Sequence, residues 1–408
     1  MRKISLLLLG FLFIVKLADA CTTFIVSGKY TSNGRPILFK QRDTDNLENA
    51  LAYFKDGKYN YCGVVNSNKD ASRMVWGGYN AAGFAIINSA AYNNNVGDSS
   101  KEKDQEGVVM KKALMQCRTV DDFELLLRTL PKPLGVDANF GVIDADGNGA
   151  YFETGNYTYR KVDVNDPMTA PHGFLIRTNY SYGGPLDEGY GFIRYNTANN
   201  ALMEMSAEGD FNVERILKDV SRSLSHSLTK TNLWNAMAKS ANDADFRFFI
   251  DYIARCSTSS AMLVVGLKKG ENPNRTMMWT VLGFPFTTVA IPTWNAGGDS
   301  YPNFMKPQKD NVAPICSVGL QMKSKCYPYK RREGSSYINL AAVINQDNSG
   351  FLQRILLVEK EVVRRAALVD VSSDGEFKHQ VAVFNQWVED FVAEKYTELF
   401  RLDLKSKP

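Results

Sequence analysis

The sequence predicts a layered α+β domain. Apolar and β-branched runs recur in pairs around Asn/Gly turns, a pattern that makes antiparallel hairpins. The hairpins come in blocks, and blocks of helical periodicity interrupt them. Strand-by-strand alternation with helices, the mark of a parallel doubly wound sheet, is missing. With 408 residues, 44% hydrophobic and 23% charged, the chain has the balance of a globular protein and ample material for a core. No repeat, low-complexity tract or composition shift divides it.

Residues 1–20 read as a secretory signal. Arg2-Lys3 is a basic start, 4–15 is a short apolar run, and Ala18-Asp19-Ala20 puts small residues where signal peptidase requires them. The run is short for a membrane span, so the mature chain, 21–408, is expected to be secreted or periplasmic and to begin at Cys21. Residues 22–26 and 36–40 then form a hairpin across Ser32-Asn33-Gly34, and Arg42-Asp43-Thr44-Asp45 follows its second strand. A hairpin brings its ends together, so Arg42 and Asp45 return to Cys21.

Further along, 74–78 and 83–88 flank a turn at 79–82, and the polar stretch 92–107 reads as a loop. Residues 108–130 have helical spacing broken near Thr119-Val120-Asp121, where Thr119 or Asp121 can cap the second piece. Residues 139–144 and 149–153 form another hairpin, and 173–179 another strand. Residues 211–224 and 232–238 are helical in period, 261–267, 276–282 and 287–291 strand-like, and 295–314 a loop. Residues 351–367 and 377–402 make a helical hairpin, a C-terminal extension from about residue 345.

Net charge excludes two partner classes. Residues 1–20 carry Arg2, Lys3, Lys16 and Asp19, which leaves +2 of the chain's +4 on the remainder. That balance gives no case for nucleic acid or for a membrane once the leader is gone. The six cysteines include no CxxC and the three histidines lie far apart, so no metal site is expected. Cys316 and Cys326 are the expected disulfide, with about half of the remaining cysteines buried free thiols.

Cys21 carries the chemistry. Cleavage before it would put a thiol and a free α-amine on one residue. Such an amine titrates near ~7.7, close to the optimum for a general base, so no histidine is needed. Arg42 would stabilise negative charge developing there, and Asp45 would orient the ammonium or the arginine fork. Two other readings stay open: Cys21 as the lipid anchor of a surface binding protein, or simply as the first residue of the mature chain.

Cys21-Thr22-Thr23-Phe24-Ile25-Val26, the Asn33-Gly34 turn and Gln41-Arg42-Asp43-Thr44-Asp45 resemble the start of mature N-terminal-nucleophile (Ntn) cysteine hydrolases. The choloylglycine hydrolase and penicillin V acylase group has such a cysteine followed by Arg-x-x-Asp, and the Cys-Thr-Thr opening is also similar to cysteine dipeptidases of that fold. Gly78-Tyr79-Asn80-Ala81-Ala82-Gly83, then Asn139–Gly147 with Tyr151-Phe152-Glu153, and then Arg177-Thr178-Asn179 resemble later segments of these proteins and of the penicillin acyltransferases (peptidase C45). The resemblance covers about residues 21–200.

It implies a four-layer αββα sandwich of two antiparallel sheets. The implied activity is hydrolysis of a linear amide, or acyl transfer, through a thioester on Cys21. The implied catalytic set is Cys21, Arg42, Asp45, Asn179 and an oxyanion donor at Asn88, with Ala90 or Tyr92 as alternatives to Asn88. Tyr92 and Arg194 are the substrate-binding candidates. No cofactor is implied, the partner is a small-molecule amide, and a homo-oligomer stays open.

Overall fold

The computed structural model describes residues 20–67, 73–185, 188–308 and 311–404. Of the expected leader, only Ala20 is among them. The strands in chain order are β1 (Thr22–Val26), β2 (Ile37–Asp43), β3 (Asn49–Phe54), β4 (Tyr61–Asn66), β5 (Gly78–Asn80), β6 (Ala85–Ala90), β7 (Ala138–Ile143), β8 (Gly149–Thr154) and β9 (Tyr159–Asp163). Then come β10 (Phe174–Arg177), β11 (Ser225–His226), β12 (Thr231–Asn232), β13 (Phe246–Phe248), β14 (Thr258–Val265), β15 (Met277–Leu282), β16 (Ile291–Trp294) and β17 (Tyr337–Asn339). The helices are α1 (Glu106–Gln116), α2 (Val120–Thr129), α3 (Phe192–Glu208), α4 (Val213–Arg215), α5 (Pro314–Cys326), α6 (Leu340–Val343), α7 (Phe351–Asp370) and α8 (Asp374–Phe400).

Two antiparallel sheets form the centre, one in the order β10-β1-β2-β14-β15-β16 and the other β3 through β9 in sequence. Small residues let them approach face to face: a Cβ on Gly141 would meet Leu38 of β2, and one on Gly149 would meet Ile25 of β1. The central strands of both sheets are buried throughout, so they lack the polar face of a solvated sheet.

Helices cover both outer faces. Phe123 of α2 packs edge-on to Phe140 and Phe152 at 5.7 and 5.1 Å, and Asn80 bonds the carbonyls of Leu114 and Cys117 at the end of α1. Thr119 caps α2 in a capping box with Asp122. On the other face, α7 and α8 lie against the turn before β16: Ala290 N–H donates to Glu359 at 2.7 Å and Val289 N–H to Tyr396 at 3.1 Å. The layers are therefore helix, sheet, sheet, helix. Among the described residues no helix is long and apolar enough to cross a membrane.

Several elements differ from expectation. The 74–78 strand shrinks to β5, beginning at Gly78, and 287–291 is mostly a turn before β16. The helical period of 211–224 becomes α4 followed by a wide π-helical turn, Ile216–Ser221, which aims Arg222 at Glu359. The 232–238 segment is only β12 and a 3₁₀ turn, Leu233–Ala236. Helices α3 and α5 are unannounced in the sequence. The first is rich in Asn and Thr; the second puts Cys, Gly and Lys on its buried face, so neither shows a clean apolar stripe.

The expected Cys316–Cys326 disulfide does not form: both residues lie on α5, ten positions apart, which is ~15 Å along a helix. Both are free thiols.

Candidate active site

Strand pleating builds the site. In the β1–β2 ladder Thr22 faces Gln41, so the next pair outward is Cys21 beside Arg42. Alternation then sends Lys40 and Arg42 to the side facing the second sheet, and Gln41 and Asp43 to the helical side. Gln41 accordingly bonds Ser221, while Asp43 meets Arg255 and Thr258.

Cys21 is buried and lines a cleft of about 430 Å³ between the sheets. Lys40, Arg42, Trp76, Asn88, Ala90 and Tyr92 surround it at that end. Arg42 stacks on the Trp76 ring at 4.6 Å. Lys40 Nζ donates to Asn88 Oδ1 at 2.6 Å and to the Trp76 carbonyl at 2.8 Å. An ammonium has only protons to offer, so it fixes which end of the Asn88 amide is oxygen. The Asn88 Nδ2 has no hydrogen-bond partner among the described residues. A donor open to the cleft, with its own oxygen tied down, is what an oxyanion requires.

Two arginines, Arg194 buried and Arg255 half-buried, hold the main chain at the nucleophile. Arg194 Nη1 donates to the Cys21 carbonyl at 2.6 Å and to Thr22 Oγ1 at 3.0 Å, while its Nη2 reaches Asn179 Oδ1 at 2.6 Å. Arg255 Nη2 donates to the Ala20 carbonyl and to Asp43 Oδ2, both at 2.7 Å. Burial, with Arg255 alongside, pulls the Arg194 guanidinium below the ordinary arginine range. Burial also pushes the Asp43 carboxyl up, against the pull of Arg255, Arg194 and Thr258. Gly191, at φ +90°, keeps room for Arg194: a Cβ there would strike the guanidinium.

A second, apolar cleft of about 690 Å³ lies beside the first and is lined by Leu47, Tyr190, Phe192, Ile193, Phe249 and Ile250. Ala20 belongs to this cleft, Cys21 to the other, and Thr44 to both. At the far end of the first cleft stand Asp98, Glu102, Asp104, Glu106 and Asp137. Burial raises the Glu106 carboxyl to about 7, with Asp104 and Asp137 adding to the rise.

Cys21, Arg42, Asn88 and Tyr92 are thus brought to one cleft. Asp45 is exposed and lines the apolar cleft; the buried carboxylate at this end of β2 is Asp43. Asn179 is buried and lines neither cleft: its oxygen receives Arg194 and its Nδ2 donates to the Ala90 carbonyl at 2.9 Å. Arg194 borders the apolar cleft but spends its fork on the protein. Sequence reasoning missed Lys40, Asp43 and Arg255.

The other thiols are of a different kind. Burial pushes Cys62, Cys117, Cys316 and Cys326 up to about 12, so they stay protonated at neutral pH. Apart from Cys21, only Cys256 lines either cleft, and none of the three histidines does.

No protein-family model matches the chain, and comparison with curated proteins finds no match. Among solved structures, the Caenorhabditis elegans ortholog of N-acylethanolamine-hydrolyzing acid amidase is similar at 14% identity and a TM-score of 0.41, over 60% of this chain and 92% of that one. Penicillin V acylase from Agrobacterium tumefaciens is similar at 12% identity and a TM-score of 0.39, over 67% of this chain and 86% of that one. A mutant of conjugated bile acid hydrolase from Clostridium perfringens is similar at 11% identity and a TM-score of 0.38, over 64% and 89%. Likenesses this distant assign neither a substrate nor a reaction.

Proposed function

We propose that the chain is an exported amidohydrolase that cleaves a linear amide through a thioester on Cys21, once cleavage between Ala20 and Cys21 frees the α-amine. The observation that carries this reading is the orientation-locked amide of Asn88 in the same cleft as Cys21.

In the proposed reaction the α-amine takes the thiol proton and Cys21 Sγ attacks the amide carbonyl. Asn88 Nδ2 donates to the oxygen as it becomes negative. The C–N bond then breaks, the proton passes to the leaving amine, and the acyl group stays on sulfur. Water, activated by the same amine, releases the acid; an amine in its place would make the reaction acyl transfer. Arg194 fixes the main chain that carries the nucleophile, and Arg255, beside the new terminus, joins it in favouring the amine in its neutral, basic form. The apolar cleft suits the acyl group and the charged cleft the amine portion. A lipid anchor fits poorly, because the Cys21 side chain is buried in a cleft wall.

The test is intact mass. Exported protein should begin at Cys21 with no diacylglyceryl adduct, and incubation with an N-acyl amide library should add one acyl mass that Cys21→Ala abolishes. A diacylglyceryl mass, or turnover that survives Cys21→Ala, would end the reading.

A further inference from the structure

We infer that the mouth of the apolar cleft is a docking face for an anionic lipid surface, from which the enzyme takes an amide bearing an apolar acyl chain. The docking stands on the surface itself; the amide half rests on the function proposed above.

The ribbon formed by β13 and β17 is the lip of that cleft. Phe248 pairs with Tyr337, and the ribbon runs directly into Phe249, Ile250, Ser335 and Ser336 of the cleft wall. Its rings face water: Phe248 is 61% exposed, Tyr337 43% and the neighbouring Tyr329 59%. They are contiguous, with Phe248 5.8 Å from Tyr337 and Phe246 5.0 Å from Tyr329. A patch of rings that water would expel, at the entrance of an apolar cavity, marks a surface with something to cover it.

The charge beside the rings selects the occupant. Lys330, Arg331 and Arg332 follow Tyr329 directly, are exposed, and make no ion pair among the described residues. Arg247, between the two phenylalanines, pairs with Asp245, and Glu333 is the acid next to the run. A face meant for a protein partner is depleted in charge at its centre. Rings interleaved with surplus cations instead match a bilayer interface, where rings sit among headgroups and cations meet phosphates. The charge of the whole chain hides this, because it is a local excess.

The experiment is co-sedimentation of the mature chain with vesicles of phosphatidylcholine alone or mixed with phosphatidylglycerol. Wild type should pellet with the anionic vesicles and be released by high salt. The pair Phe248→Ser and Tyr337→Ser, and separately Lys330→Glu with Arg331→Glu, should each weaken binding by ~tenfold or more, since rings and cations act together. Their melting temperatures and the alkylation rate of Cys21 should match wild type, which excludes misfolding. No binding to anionic vesicles, or ring variants that bind like wild type, would overturn the inference. So would self-association of wild type that the ring variants lose, which would make the patch a contact between two copies. Vesicle binding without any acyl adduct on Cys21 would leave the docking intact and overturn the amide reading alone.

Discussion

Lys40 Nζ sits 2.6 Å from Asn88 Oδ1 and so turns the Asn88 amide protons toward the cleft that Cys21 lines. A lysine on a central strand reads as solvent-facing in the sequence. Here it is buried between two sheets and sets the polarity of a neighbouring side chain.

Asn88→Ala should therefore lower kcat by ~10²–10³-fold with little change in KM, the usual cost of losing one oxyanion donor. Asn88→Asp should do no better, because a carboxylate facing the oxyanion repels it. Steady-state kinetics on the amide that acylates Cys21 checks both, and unchanged kcat in either variant removes Asn88 from the reaction.

Lys40→Met should leave Asn88 in place but without its fixed orientation. The expected result is a fall in kcat of ~tenfold or more and a loss of ~1–3 kcal/mol in stability from an unsatisfied buried carbonyl. Urea denaturation beside kinetics separates the two effects.

Arg194→Lys tests the clamp on Cys21. One ammonium cannot reach three acceptors spread around a planar fork. We expect kcat/KM to drop ~10²-fold, by loss of nucleophile positioning. The acylation rate should fall more than the deacylation rate, as stopped-flow acyl transfer would show.

Glu106 gives a pH signature. Its carboxyl is raised from 4.5 to about 7 by burial, so between those values the folded chain holds a proton that the unfolded chain has released. Stability from this group is full below pH 4.5 and is lost as pH rises through 7. Glu106→Gln keeps an acceptor for the Asp137 N–H and removes the titration. Relative to wild type the variant should gain on the order of 1–3 kcal/mol between pH 5 and pH 8. Urea midpoints at the two pH values measure it; a constant difference between the proteins would show that Glu106 titrates normally.

The Arg222–Glu359 pair joins the π-helical turn to α7 and is buried on both sides. Arg222→Met leaves the Glu359 carboxylate without its cation and should cost ~3–5 kcal/mol, whereas Arg222→Met with Glu359→Leu should recover most of that loss. Thermal melts of the two variants decide.

Much of this was readable in the chain. The hairpin that returns Arg42 to Cys21 follows from two apolar runs and an Asn-Gly turn, and Thr119 is one of the two caps the spacing offers for α2. What stayed hidden was set by long-range packing. Arg255 reaches the Ala20 carbonyl only because β14 pairs with β2, a neighbour far away in sequence. Spacing alone favours Asp45, but the burial of Asp43 depends on which face of β2 the helices cover. The buried faces of helices α3 and α5 include Arg194, Thr197, Gly319 and Lys323, charged, polar or small residues that blur the apolar periodicity.

Ala20 lines one cleft and Cys21 the other, so the peptide bond between them is also a partition. Cutting it would do more than unmask an amine. It would remove the occupant at the threshold and let two chambers of about 690 and 430 Å³ run together as one trough across the sulfur. Under the proposed processing, room for a substrate that spans both chambers would come into being with the nucleophile that attacks it.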